Sequence, residues 1–385
     1  MLSTTKAKNV VGLDIEAGSI AATEVQMNGG VKVARHGVSS LEPGIFREGE
    51  VSDPAALGEA LKKLFSEHRL AKNVRLGIAN QRVAVRTLQL PLIEKADELE
   101  TAIRFQAQDH IPMPLDQAVL DWQVVGRPVG GDDQPQMQVV AVAARRDMLG
   151  SVVEALRRAS LRPVGIDHSA FGMIRALQHA QHSAVGAADY VAAPGAPSTY
   201  EDRMTAGAAG SDAVGGVGHM PPPAKLYCNL GDMTNLAVAQ GSTCLFTRIS
   251  GFGVEGIAQK LAERRELTLE HARKWLVHVG LETTTESIDG DPETVIAARQ
   301  ALAEGVGKLA DELRLSLEFY AAQEGAVAVE SVIACGPGTT IPGLVERLQR
   351  ELGHPFVIGR PSGLSLLDDT SAARLTLSYG LALGE

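Results

Sequence analysis

One short unit occurs twice in this chain, far apart, and a repeat at such long spacing implies two related halves. The first copy is Gly12-Leu13-Asp14-Ile15-Glu16-Ala17-Gly18-Ser19-Ile20-Ala21, the second Cys228-Asn229-Leu230-Gly231-Asp232-Met233-Thr234-Asn235-Leu236-Ala237. Each runs as an apolar strand ending in Asp or Asn, a turn of small polar residues, and a second strand. Such turns expose successive backbone N–H groups and hydroxyls, which suit phosphate oxygens. Asp14, Gly18, Ser19, Gly231, Asp232, Thr234 and Asn235 are the candidate cradle. The same residue types are also what hairpin turns require for their own sake, so an altered or empty pocket fits them equally.

At 385 residues the chain exceeds one ordinary core, so two or more domains are expected. Aromatics make up only 4%, which leaves Val, Leu, Ile and Ala to build the interior. A net charge of -10 argues against nucleic acid as the main partner, since no basic excess exists to neutralise phosphates. The three cysteines, Cys228, Cys244 and Cys335, show no paired spacing. A reducing compartment therefore fits better than a disulfide framework or thiolate metal site. Residues 1–9 lack the apolar core of a signal peptide, and no run approaches a spanning helix. Any membrane role must come through a partner.

Alternation predicts strands at Val10–Ile15, Ile20–Gln26, Val31–Gly37, Val74–Ala79 and Val83–Leu90, with a tight turn at Asn28-Gly29-Gly30. Asp53-Pro54 opens a helix to about His68 with a Leu57, Leu61, Leu64 stripe. Asp97 and Glu100 have the spacing of a capping box, and the Pro112/Pro114 pair closes that second helix. Strands Val119–Gly126 and Met137–Ala143, a helix Arg146–Ala159 and a strand Arg162–Asp167 complete a block that reads as an inserted subdomain. Residues 182–223 are rich in Gly, Ala and Pro, without periodicity, and are expected to be a loosely held connector. The second half repeats the pattern with strands Lys225–Asn229, Leu236–Ala239 and Thr243–Arg248. Helices Val254–Ala262, Thr268–Val279 and Pro292–Tyr320 follow. Strand Val329–Ala334, helix Ile341–Leu352, strand Phe356–Gly359 and helix Arg374–Leu383 end it.

Phosphate turn, insertion, second phosphate turn and a strand running into a Gly-rich turn near the end is the order of the actin/Hsp70 superfamily. The stretch from Leu90-Pro91-Leu92 through Ile111-Pro112-Met113-Pro114 to Leu120-Asp121-Trp122-Gln123-Val124 resembles the PilM family, actin-like proteins of type IV pilus assembly. Arg248-Ile249-Ser250-Gly251-Phe252-Gly253, Glu312–Tyr320 and Cys335-Gly336-Pro337-Gly338-Thr339 resemble further family segments. The resemblance implies an α/β, actin-like ATPase fold of two lobes around a nucleotide cleft. It assigns residues 1–90 and 168–181 to the first lobe, 91–167 to the insertion, 224–250 and 325–385 to the second lobe, and 251–324 to a helical subdomain. It also implies ATP and Mg²⁺ as cofactors, with Glu312, Gly336 and Gly338 on the nucleoside. A groove with Arg104, Phe105 and Gln108 would receive the tail of a PilN-like bitopic membrane protein. Pilus motor ATPases are implied as further partners, and the cytoplasmic face of the inner membrane as the location.

The chain departs from that pattern at the chemistry. Glu16 replaces a turn glycine, Ala21 the usual lysine, Asn229 an aspartate and Pro337 a glycine. A carboxylate against a triphosphate costs roughly 1–4 kcal/mol per charge pair, and an amide cannot act as a base. The expectation is a scaffold with a degenerate nucleotide pocket, weak or lost ATP binding and no hydrolysis. The alternatives are an active ATPase or small-molecule kinase, and an FtsA-like division scaffold, against which stands the lack of a C-terminal amphipathic helix.

Overall fold

The computed structural model describes residues 9–27, 30–126, 136–178, 181–184, 223–323 and 325–384. Most of the expected connector, residues 185–222, and the Asn28-Gly29 step of the first tight turn lie outside these. Two sheets form the frame. The first contains β1 (Val10–Ile15), β2 (Ser19–Gln26), β3 (Lys32–Ser40), β6 (Asn73–Ile78) and β10 (Arg162–His168), in the order β10-β6-β1-β2-β3. A two-residue pair, β4 (Phe46–Arg47) and β5 (Glu50–Val51), stands beside it. The second sheet has β11 (Gln181–Ala184), β12 (Ala224–Leu230), β13 (Thr234–Gln240), β14 (Thr243–Ser250), β15 (Val329–Cys335) and β16 (Phe356–Arg360), in the order β11-β16-β15-β12-β13-β14. Pairing repeats between them: β1 is antiparallel to β2 and parallel to β6, as β12 is antiparallel to β13 and parallel to β15. The duplicated unit of the sequence is therefore a duplicated hairpin.

Two helices join the sheets, α4 (Ser169–Leu177) and α9 (Asp369–Ala382). One core cluster holds Met173 and Leu177 of α4, Leu375 and Tyr379 of α9, Ala21 and Val25 of the first sheet, and Tyr227 and Ile333 of the second. Small residues allow this close approach. A Cβ on Gly12 would lie 1.9 Å from the Ser378 carbonyl oxygen, and one on Gly380 1.9 Å from that of Gly172. On the far side of the first sheet lie α1 (Pro54–Glu67) and α3 (Arg146–Arg158), sharing a core through Leu57, Leu61, Val152 and Leu156. On the far side of the second lie α5 (Val254–Arg265), α6 (Leu269–Val279), α7 (Pro292–Ala321) and α8 (Leu344–Leu352).

The insertion is a three-stranded sheet, β7 (Ala84–Pro91), β9 (Gln136–Arg145) and β8 (Ala118–Gly126), in the order β7-β9-β8. It is covered by α2 (Ala96–His110) through Leu99 and Ile103 on Leu88, Leu90 and Val139. The expected insertion at 91–167 is thus redrawn at both ends. β7 joins it because Ala84–Pro91 pairs with β9, whereas α3 buries its apolar stripe on α1 and β10 runs parallel to β6. Gln181–Ala184 pair with β16, so the first residues assigned to the connector are strand. Asp97 is not a cap: α2 starts at Ala96, with Leu99 N–H bonding the Lys95 carbonyl at 2.9 Å. Asp97 and Glu98 instead face the positive end of the helix in its first turn. Asp53 does cap α1, accepting from Ala55 and Ala56 N–H. The helix expected from Ile341 begins at Leu344, since Gly343 in the left-handed region separates it from a 3-10 turn at Pro337–Thr340.

Close packing makes a stability test. Gly380→Val forces α9 from α4 and is expected to cost about 1–3 kcal/mol in urea unfolding. Gly150→Ala, inside α3 with nothing within 4 Å of the added atom, is expected to gain up to about 1 kcal/mol.

Candidate functional site

The two duplicated turns meet across the space between the sheets. In the first, Glu16 N–H bonds the Ser19 carbonyl at 2.9 Å, closing the hairpin and leaving the Gly18 N–H pointing outward. That N–H donates to Asp232 Oδ2 of the second turn at 2.9 Å. In return, the Asp232 N–H donates to Glu16 Oε1 at 3.4 Å. Each turn thus offers a backbone donor to the other's carboxylate. Gly231 leaves room for this clasp, because a Cβ there would lie 2.1 Å from Glu16 Oε1.

Cations brace the clasp from two helices. Arg273 of α6 presses on Gly18 and holds Glu255 of α5 at 2.8 and 2.5 Å, while Arg374 of α9 donates to Ser19 Oγ at 3.4 Å. The carboxyl groups between them are crowded. Burial, then the Asp232 charge, pushes Asp14 up to about 7. Burial and then Glu255 push Asp232 up to about 6. Glu16 is driven well above the carboxylate range by burial, then by Asp232 and Asp14. The cavity they leave, lined by Asp14, Glu16, Asn229, Asp232 and Asn235 among others, measures about 40 Å³. Asn235 is 2% exposed and neither atom of its amide has a hydrogen-bond partner. Among the described residues, no group of three or more His, Cys, Asp or Glu side chains is placed to hold a metal ion.

The candidate cradle divides in this geometry. Asp14, Asp232 and Asn235 line the cavity, Gly18 and Ser19 lie in the clasp, and Gly231 gives it clearance. Thr234 is turned to structure, its hydroxyl donating to the Phe252 carbonyl at 2.8 Å. Gly336 and Gly338 pack on Asn229 and Leu230 of β12. Glu312 does not reach the cavity lining; it pairs with Arg248 of β14 at 3.5 Å. Arg273, Arg374 and Glu255 were not singled out, because only the fold brings α5, α6 and α9 to the turns. Glu16 and Asn229 were visible as departures from a pattern, without the partners that give them a role.

A second, larger concavity of about 750 Å³ lies between the first sheet, the insertion and the second sheet. Its walls are Asn80–Arg86, the Pro112-Met113-Pro114 exit of α2 with Gln117 and Arg145, and Thr247–Ile249 of β14. Both β7 and β14 are edge strands among the described residues, and both contribute residues to the groove walls. His168, held as α4 cap by accepting the Ala170 N–H on Nδ1 at 3.2 Å, lines it too. Burial lowers its pKa to about 4, so it stays neutral there. Arg104, Phe105 and Gln108 lie on the exposed face of α2, and none of them lines the groove. Their position follows from Ile103 and Ala107 facing the sheet, which turns the opposite side of the helix outward.

Two sheets of repeated topology with facing hairpin turns follow the actin-like plan, and the chain has that fold. Residues 12–192, a little under half of the chain, match the family model described as type IV pilus assembly protein PilM. The fold is similar to a chain of the PilM-PilN type IV pilus biogenesis complex, with TM-score 0.73, 24% identity and coverage of 98% of each chain. It is also similar to MreB5 of Spiroplasma citri bound to AMPPNP, with TM-score 0.51, 11% identity and coverage of 97% and 95%. For EutJ of Carboxydothermus hydrogenoformans the TM-score is 0.50 at 12% identity, covering 97% and 88%.

The raised carboxyl pKa values set a pH dependence. A carboxyl whose folded pKa is raised stabilises the fold in full below its unfolded value near 4, and that contribution is lost as pH rises through about 6 to 7. Asp14→Asn removes one such group. Its urea midpoint relative to wild type is expected to improve between pH 5 and pH 8, by an amount on the order of 1–3 kcal/mol.

Proposed function

We propose that this protein is a scaffold of type IV pilus assembly that takes the cytoplasmic tail of a PilN-type membrane protein into the groove between the insertion and the two sheets. The observation that carries the reading is where the family match falls. Residues 12–192 include the groove walls Asn80–Arg86, Pro112–Pro114, Gln117, Arg145 and His168. The volume of about 750 Å³ lies in the usual range for bound ligands, about 300–1,000 Å³. Two edge strands supply main-chain donors and acceptors for an extended peptide. No helix among the described residues is long and apolar enough to cross a membrane, so attachment at the inner membrane would run through the partner.

The nucleotide cleft has a different character. A nucleoside triphosphate needs free turn donors, and here the Gly18 and Asp232 N–H groups are engaged by carboxylates. Phosphate charge would lie among Asp14, Glu16 and Asp232, and about 40 Å³ admits a few waters only. The residues present do not fit ATP in this arrangement.

A labelled peptide of the PilN-type tail is expected to bind saturably, and Met113→Glu in the groove wall to weaken it at least about tenfold, or about 1.4 kcal/mol. Absence of binding by the wild type would refute the scaffold reading. Titration calorimetry with millimolar MgATP is expected to give no heat, whereas Glu16→Gly combined with Asn229→Asp is expected to restore measurable binding.

A further inference from the structure

The groove has walls on both lobes, so its width is the separation of the lobes. Resting on the peptide reading above, we propose that the carboxylate clasp, in place of a nucleotide, sets that separation, making Glu16 and Asp232 positioning residues for partner binding.

The coupling is short on both sides. On the second lobe, Asp232 lies just before β13, whose early residues pair with the groove wall, Asn235 with Ile249 and Leu236 with Arg248. Thr234 also bonds the Phe252 carbonyl, tying the turn to the end of β14. Asn235 lines the clasp cavity while its strand partner Ile249 lines the groove. On the first lobe, Ala79 lines the clasp cavity and the next residue, Asn80, lines the groove. Asn80 Nδ2 donates to the Glu48 carbonyl at 2.7 Å, and Glu48 and Gly49 are themselves cavity walls. Gly49 fits so tightly that a Cβ would lie 2.0 Å from the Ala79 carbonyl oxygen. Between the two cavities Gln81 reaches Gly251, where a Cβ would lie 2.9 Å from its Nε2.

Opening the clasp therefore moves β14 relative to Asn80–Arg86 without an intervening flexible loop. The lobes remain joined through the α4–α9 core, which serves as the pivot. A peptide that binds only the closed arrangement loses apparent affinity in proportion to the closed fraction. Closure by the chain's own carboxylates makes the groove competent without a cofactor.

The test uses the full chain and the labelled tail peptide. All three native cysteines are buried, so cysteines introduced as Glu59→Cys on α1 and Glu263→Cys on α5, both exposed, carry spin labels for the distance between lobes. Asp232→Ala and Glu16→Ala each remove one acceptor, and are expected to lengthen or broaden that distance and weaken peptide binding about tenfold. Asp232→Asn keeps an acceptor oxygen and is expected to stay within about twofold of wild type, and millimolar MgATP to leave wild-type affinity unchanged. Each alanine variant tests the idea alone if the other does not fold. Wild-type affinity in a folded alanine variant, or a tenfold response to MgATP, would overturn the proposal while leaving the peptide reading intact. A wild type that does not bind the peptide would remove both.

Discussion

A backbone amide in a tight turn must find an acceptor, and in this protein the two turns that face each other supply one another. Gly18 N–H finds Asp232, and Asp232 N–H finds Glu16. The exchange places several carboxyl groups in a confined space, which is affordable only because Arg273 and Arg374 stand at its edges and protons are retained. Both lobes are positioned by the outcome. The lobe sheets, the helices that cover them and the insertion can each form by local pairing and burial, but their mutual distance depends on this contact and on the α4–α9 packing.

The duplicated strand plan explains why such a contact exists. Two hairpins of one topology, related across a cleft, present matching turns to the same point. In a site built for phosphate both turns would point donors at a shared anion. Here Asp232 accepts the Gly18 N–H and Glu16 accepts the Asp232 N–H, so the protein's own carboxyl groups engage these turn donors. Asn229 lines the same cavity, but its Oδ1 is engaged behind it, accepting the Cys335 thiol at 3.7 Å and lying 2.2 Å from where a Cβ on Gly336 would stand.

Periodicity and caps carried much of the architecture in the sequence. The Asp53-Pro54 start of α1, the long seam of α7 and both hairpins lie where their residues indicate. What alternation cannot encode is which sheet a strand joins. Ala84–Pro91 and Arg162–His168 look alike as strands, yet one pairs with β9 and the other with β6, a choice made by tertiary packing. The site was legible in part for the same reason. Asp14, Gly18 and Asp232 are local to the turns, while Arg273 and Arg374 arrive from helices distant in sequence. The walls of the groove are not local in sequence, since they come from the first sheet, the insertion and the second sheet, and only assembly creates the concavity. Arg104, Phe105 and Gln108 drew attention as residues off the apolar stripe, and the structure turns them outward.

The thiol behind Asn229 has a use of its own. Cys335 is 1% exposed at the end of β15, and burial drives its ionisation far above the normal thiol range. An alkylating reagent reaches such a sulfur only through transient loosening of the second sheet near the cleft. Its modification rate is thus a built-in clock for breathing at that end of the molecule, readable by mass spectrometry without any added label.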